Sequence, residues 1–187
     1  MGIKLINLIV LQLLLTTLIE AQNINLENVT INDQRLKRLN CDFTKKWGEG
    51  KLLNQWNGDN DEYTLEYKII DYDSIEVLTA NYKETKNSYL ELITIKSSRA
   101  VLEINDSIIP IGVTIASLGI NYPSVLKEYI DLINENNKYL LRETIVSIPL
   151  KINTLSNEIY YGKISFAILN HKIISINVDL RSEGDFD

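Results

Sequence analysis

The 187 residues hold one histidine, His171, and one cysteine, Cys41. Nucleophilic catalysis needs a base within hydrogen-bond reach of the nucleophile. These two are distant in sequence and unlike in setting. His171 lies between Asn170 and Lys172 in a turn pattern, and Cys41 lies among Leu36, Leu39 and Phe43 in an apolar one. No Gly-x-Ser-x-Gly elbow marks a serine nucleophile. Zinc is disfavoured for want of His and Cys ligands. His171 therefore reads as an exposed turn residue. Cys41 reads as a small buried hydrophobe, with a reactive or intermolecular thiol as its alternative.

Carboxylates are the next chemistry to weigh. Asp71, Asp73 and Glu76 cluster at one turn, and Asp59, Asp61 and Glu62 cluster before a strand. Oxygen-rich clusters hold calcium, and a pair of acids can hydrolyse a glycosidic bond. Asp59-Asn60-Asp61 lacks the spacing of an EF-hand loop, and no acid pair is singled out, so solvated acidic turns are the plainer reading. Nothing in the chain calls for a cofactor.

The aromatic residues carry more. There are ten tyrosines and two tryptophans. Trp56, Tyr63, Tyr67, Tyr72, Tyr160 and Tyr161 are the candidate partner-binding residues, because Tyr and Trp present rigid surface with a polar tip. The competing reading is ordinary packing in core and sheet.

The elements that must position them follow from periodicity. Residues 1–21 join Lys4 to an apolar run, Leu5 to Ile19, with Ala21 as a small residue at a cleavage position, the pattern of a secretory signal peptide. The run is short of the ~20 residues of a membrane span, the competing reading. Leu36, Leu39, Phe43 and Trp47 recur at helical steps, with Asp33 as N-cap and Gly48 and Gly50 as stop. A turn is expected at Asn57-Gly58-Asp59. Alternation predicts strands over 63–69, 75–79, 90–94 and 100–104, with turns between, the last at Ser97–Arg99. Thr114 caps a second helix bearing Ile115, Leu118 and Tyr122, closed by Pro123. Ser124 opens a further helix to about Asn134, for which a strand is the alternative. Strands resume at Thr144, where Pro149 marks an edge or a bulge. Strand 164–168 turns at Asn170-His171 into Ile174, Ile176, Val178 and Leu180, which share one face.

Leu36, Leu39 and Phe43 match Ile115, Leu118 and Tyr122 at a shift of 79, which suggests one unit built twice. The piece Gly112-Val113-Thr114-Ile115-x-x-Leu118-x-x-x-Tyr122-Pro123 resembles the opening of exported repeat units of the BamE / beta-lactamase-inhibitor-protein type. That resemblance implies one or two helices per small antiparallel sheet, and binding to other proteins as inhibitors or assembly factors. It carries over no functional residue.

The expected fold is α+β: short helices packed on antiparallel β-sheet, with a signal peptide at 1–21 and α+β repeats at 22–105 and 106–187. The formal net charge of −6 disfavours nucleic acid and anionic membrane as partners. The expected function is an exported (secreted or periplasmic) non-catalytic protein-binding module, an inhibitor or immunity protein of an exported enzyme. A carbohydrate- or small-ligand-binding module is the alternative, for which a concave pocket would be the sign. A carboxylate-based hydrolase is the third reading and requires a buried acid pair.

Overall fold

A computed structural model describes residues 24–59, 64–135, 143–153 and 159–181. The signal-peptide reading of 1–21, Tyr63, and the acids Asp61 and Glu62 lie outside the described residues. Strand occupies 56% of the described chain and helix 19%. The expected α+β architecture is therefore corrected to a β-rich one.

In chain order the strands are β1 (Ile24–Asn25), β2 (Val29–Ile31), β3 (Gln34–Arg35), β4 (Lys51–Asp59), β5 (Thr64–Asp71), β6 (Ile75–Tyr82), β7 (Ser88–Ile95), β8 (Val101–Ile104), β9 (Ser107–Pro110), β10 (Thr144–Asn153), β11 (Ile159–Leu169) and β12 (Lys172–Asp179). The helices are α1 (Thr44–Trp47), α2 (Ile115–Asn121) and α3 (Pro123–Glu135), with a 3₁₀ turn at Leu26–Asn28. One sheet runs β1-β10-β11-β12-β7-β6-β5-β4, and a second runs β3-β2-β8-β9. All pairings are antiparallel except β1 with β10. Strands from both halves of the sequence share the larger sheet, joined where β12 pairs β7.

Two-residue turns do much of the folding. Asn32-Asp33, Asn105-Asp106 and Asn170-His171 all have positive φ at both residues, as a type I′ hairpin turn requires. Asn and Asp tolerate this left-handed region better than other side chains do. They close β2–β3, β8–β9 and β11–β12 respectively. The first of these overturns the helix expected over Asp33–Trp47. Asp33 turns a hairpin instead of capping a helix. The chain beyond it runs irregularly, with Leu90 N–H donating to Arg38 O at 2.7 Å and Asn40 N–H to Ser88 O at 2.7 Å. Only α1 remains of that helix. The residues matched at a shift of 79 thus occupy unlike structures. The turn at Ser97–Arg99 is likewise no hairpin, because β7 lies in the large sheet and β8 in the small one. The turn expected at Asn57-Gly58-Asp59 is the end of strand β4.

Apolar alternation is clearest in β10, and bulges change its phase in β7 and β12. In β10, Thr144, Val146, Ile148, Leu150 and Ile152 all point inward. In β12 a bulge lets Ala167 face Ser175 while Ile168 faces Ile173. Ile173, Ile176, Val178 and Leu180 are therefore buried, and Ile174, expected inside, faces out. A bulge at Glu91 does the same to β7, burying Leu90, Ile93 and Ile95.

One apolar cluster joins the two sheets and α2–α3. The helices do not blanket the large sheet. Thr114 Oγ1 accepts the Ser117 N–H and caps α2, and Tyr122 ends it, buried with its hydroxyl donating to Ile104 O at 3.1 Å. Pro123 does more than stop α2: it is the first residue of α3, where a missing N–H costs nothing. Glu128 of α3 accepts the Ser147 N–H of β10 at 3.3 Å. That N–H points away from β11, so α3 covers an open sheet edge rather than a face. Pro149, two residues on, points its ring nitrogen to the same edge, where no ladder bond is lost.

Tyr129 of α3 ties the helix to the β11–β12 turn, its hydroxyl 2.9 Å from His171 Nδ1. Tyr129→Phe should cost about 1 kcal/mol by urea denaturation, the net value of a hydrogen bond. At the far end of β12, Arg181 makes a two-point ion pair with Asp179 at 2.8 and 2.7 Å. Burial raises the Asp179 pKa, but the hydrogen bonds and charge of Arg181 outweigh it, and the carboxyl ends below its usual range. A depressed folded-state pKa gives stability that is present above the unfolded value and lost as pH falls through the folded one. Thermal melts should therefore lose stability below about pH 4, and Asp179→Asn should flatten that slope.

Candidate functional site

A cavity of about 1060 Å³ opens where both sheets and the irregular segment after β3 meet. One wall is Arg35–Leu39, the last residue of β3 and the segment after it. This wall is pinned to β7: Leu39 bridges Tyr89, and the Asn40 side-chain oxygen accepts the Ser88 N–H at 2.9 Å. Asn40 makes this corner with φ +51°. The opposite wall is Lys151–Asn153 at the end of β10 and Ile159–Tyr160 at the start of β11. Leu26 and Glu27 of the 3₁₀ turn close a third side.

Arg38 is the centrepiece. Its guanidinium carbon lies 4.4 Å from the centroid of the Tyr160 ring and 5.6 Å from that of Tyr89. Cation–π contact of this kind contributes ~0.5–2 kcal/mol and fixes the plane of the guanidinium. Tyr89 is steadied from behind by Tyr82, their ring centroids 5.1 Å apart in an edge-to-face arrangement. Burial pushes the Tyr82 hydroxyl pKa up, helped by Tyr89 and Glu91, so Tyr82 stays neutral beside the cavity. Leu26, Leu36 and Ile152 supply a buried apolar floor, and Ile159 stands half exposed at the mouth. The lining thus combines an apolar floor, two tyrosine rings and cations.

Of the six expected partner-binding residues, the five that are described lie in separate places. Tyr160 is in the cavity wall. Tyr161, its neighbour on β11, points the other way and is 53% exposed. Trp56 of β4 and Tyr67 of β5 are directly paired and stack at 5.3 Å with ring planes 10° apart. A side chain on Gly58 would meet the Tyr67 ring at 2.7 Å, so the glycine makes room for that stack. Tyr72 belongs to a third place. It packs edge-on to Trp47 at 5.6 Å, and Trp47 stacks on Phe43 at 4.5 Å. That group is structural.

Arg35, Lys37, Arg38, Lys151 and Tyr89 escaped the sequence reading. Reading Leu36–Trp47 as a helix sent Lys37 and Arg38 to a solvated face. The available signal was three cations in four residues, Arg35, Lys37 and Arg38, within an acidic chain. The carboxylate clusters lead elsewhere. Glu76 pairs with Lys96 at 2.7 Å and Asp73 with Arg99 at 3.2 Å, and no group of acids, His or Cys among the described residues is arranged to hold a metal ion. Cys41 is half-buried, and burial raises its thiol pKa, against a hydrogen bond from Lys37 that lowers it. No helix among the described residues is long and apolar enough to cross a membrane.

Compared with known proteins, the chain matches no family model, no curated protein and no solved structure, so the site is read from its geometry alone.

Proposed function

We propose that this chain is an exported, non-catalytic small-ligand-binding module that works through the cavity between Arg35–Leu39 and the β10–β11 strand ends. One observation carries the reading: a concave space of about 1060 Å³ with an oriented Arg38 held by Tyr89 and Tyr160. Ligand pockets are typically about 300–1,000 Å³ and mostly apolar with a few fixed polar groups; this cavity is of that size, with an apolar floor and a more heavily charged lining. The test is fluorescence titration with N-phenylnaphthylamine, an uncharged apolar aromatic dye. It should bind the unmodified chain. Ile159→Trp, which fills the mouth at an exposed position, should weaken binding by about tenfold or more for a ligand that must enter there. A dye that does not bind, or that binds the variant equally well, would refute the reading.

A protein-binding function is the second reading, and strand β4 favours it. Among the described residues this nine-residue strand ends the large sheet with one side unpaired, and Leu52, Leu53 and Trp56 are exposed on it. Such an edge can accept a strand from a partner. A partner recovered from the source's exported fraction should then be lost with Leu52→Lys/Leu53→Lys, while dye binding in the cavity persists.

A further inference from the structure

We infer that Asn28 is the acceptor of an N-linked oligosaccharide; the inference rests on the exported half of the proposed function. Two tripeptides in the chain have the form Asn-x-Ser/Thr that such transfer requires, Asn28-Val29-Thr30 and Asn105-Asp106-Ser107. In an asparagine-rich chain the tripeptide alone decides little. What decides is whether the fold already employs the asparagine.

Asn105 is employed. It is the first residue of the turn between β8 and β9, with φ +48°, a left-handed position that Asn fills better than most residues do. Asn32 and Asn40 are employed as well. The side-chain oxygen of each accepts a backbone N–H, from Val101 at 2.8 Å and from Ser88 at 2.9 Å. Asn28 has no such task. It ends the 3₁₀ turn Leu26–Asn28 and is not among the residues of positive φ. Its side chain is exposed and, among the described residues, makes no hydrogen bond. Leu26 and Val29 close by are buried and anchor the turn. A free amide, turned outward on an anchored turn, admits a bulky polar substituent without displacing anything packed.

The position also has consequences. Asn28 stands three residues past β1, the strand that ends the large sheet opposite β4. It follows Leu26 and Glu27 of the cavity's third side. A hydrated oligosaccharide there would screen this end of the sheet against pairing by other chains and leave β4 open.

The chemistry is a group transfer from a lipid-diphosphate-linked oligosaccharide by a transferase of the export membrane. The Asn28 amide nitrogen forms a bond to the anomeric carbon of the sugar and gives up a proton. The bond from that carbon to the diphosphate breaks, and the lipid diphosphate leaves with its electron pair. Transfer reads the chain before it folds. Thr30 Oγ1, which in the fold donates to Glu103 at 3.1 Å, is free for recognition at that stage.

The experiment recovers the full chain from the exported fraction of its source, digests it with trypsin and reads the peptides by mass spectrometry. The peptide ending at Arg35 should carry sugar, and Ala100–Lys127, which contains Asn105, should not. Asn28→Gln and Thr30→Val should each lose the sugar, and Thr30→Ser and Ser107→Ala should each keep it. Made without export, Asn28→Gln should melt together with the unmodified chain, since an exposed side chain without partners is all that changes. An exported chain that is bare at Asn28, or whose sugar sits on Asn105 alone, overturns the inference and leaves export standing. Sugar that persists in Thr30→Val overturns it too. A chain absent from the exported fraction removes the export reading and the inference together.

Discussion

Phe166→Ala should destabilise the fold by about 3–5 kcal/mol, the cost of emptying a buried phenylalanine site. Phe166 is 0% exposed and is the largest of the fully buried side chains. It faces Val146 on one side and Ile176 on the other, so the void would open where β10, β11 and β12 meet. These strands are held by ladders on both sides of β11, shifted only at the bulge beside Ala167, which limits how far they can close in on it. Thermal melts should drop by about 10 °C, since each kcal/mol moves a domain of this size by roughly 2–4 °C. Phe166→Leu, which keeps most of the volume, should cost about 1 kcal/mol. A large loss in both variants would mean that the aromatic ring itself, and not the filled space, holds this part of the core.

Gly162→Ala should be the second large effect, through backbone rather than core. A Cβ at Gly162 would run into the Asp179 carbonyl oxygen and approach Ile152 Cδ1 at 3.1 Å. The obstacle is main chain, so no rotamer change relieves it. Either β11 separates from β12 or the strand twists locally, at a cost of about 1–3 kcal/mol or somewhat more. The change also reaches function. Gly162 is two residues from Tyr160, and Ile152 lies in the cavity floor. Dye binding should weaken even at temperatures where the variant is folded, and circular dichroism beside titration would separate the two losses.

How much of this could be read from sequence differs by element. β10 announces itself, because it packs one face inward and its residues alternate accordingly, and β6 and β12 do so apart from one shift of phase each. β4 does not. Lys51–Asp59 is exposed on the side chains described and holds Asn54, Asn57 and Gly58, so pairing with β5 makes it a strand rather than its own pattern. Bulges at Glu91 and Ile174 shift the buried face by one residue, which no simple alternation contains. The apolar spacing of Leu36, Leu39 and Phe43 is helical in period, yet the positive φ of Asn32-Asp33 and of Asn40 sends the chain along β7 instead. Tertiary pairing overrides a weak local preference there.

The same override hid the cavity. Arg38 meets Tyr89 and Tyr160 only because the segment after β3 lies against β7 while β11 starts beside it. Helical reading of 33–47 leaves those three residues unrelated. Of the aromatic residues that the sequence singles out, Tyr160 lies in the cavity wall. Trp56 and Tyr67 form a separate stack on the sheet edge, and Tyr72 supports α1.

The most direct test of the central claim is amide chemical-shift mapping of the isotopically labelled chain during titration with N-phenylnaphthylamine. The account predicts saturable shifts confined to Leu26–Glu27, Arg35–Leu39, Tyr89, Lys151–Asn153 and Ile159–Tyr160, which line one cavity. Shifts centred on Lys51–Asp59, or scattered over the surface without saturation, would contradict it.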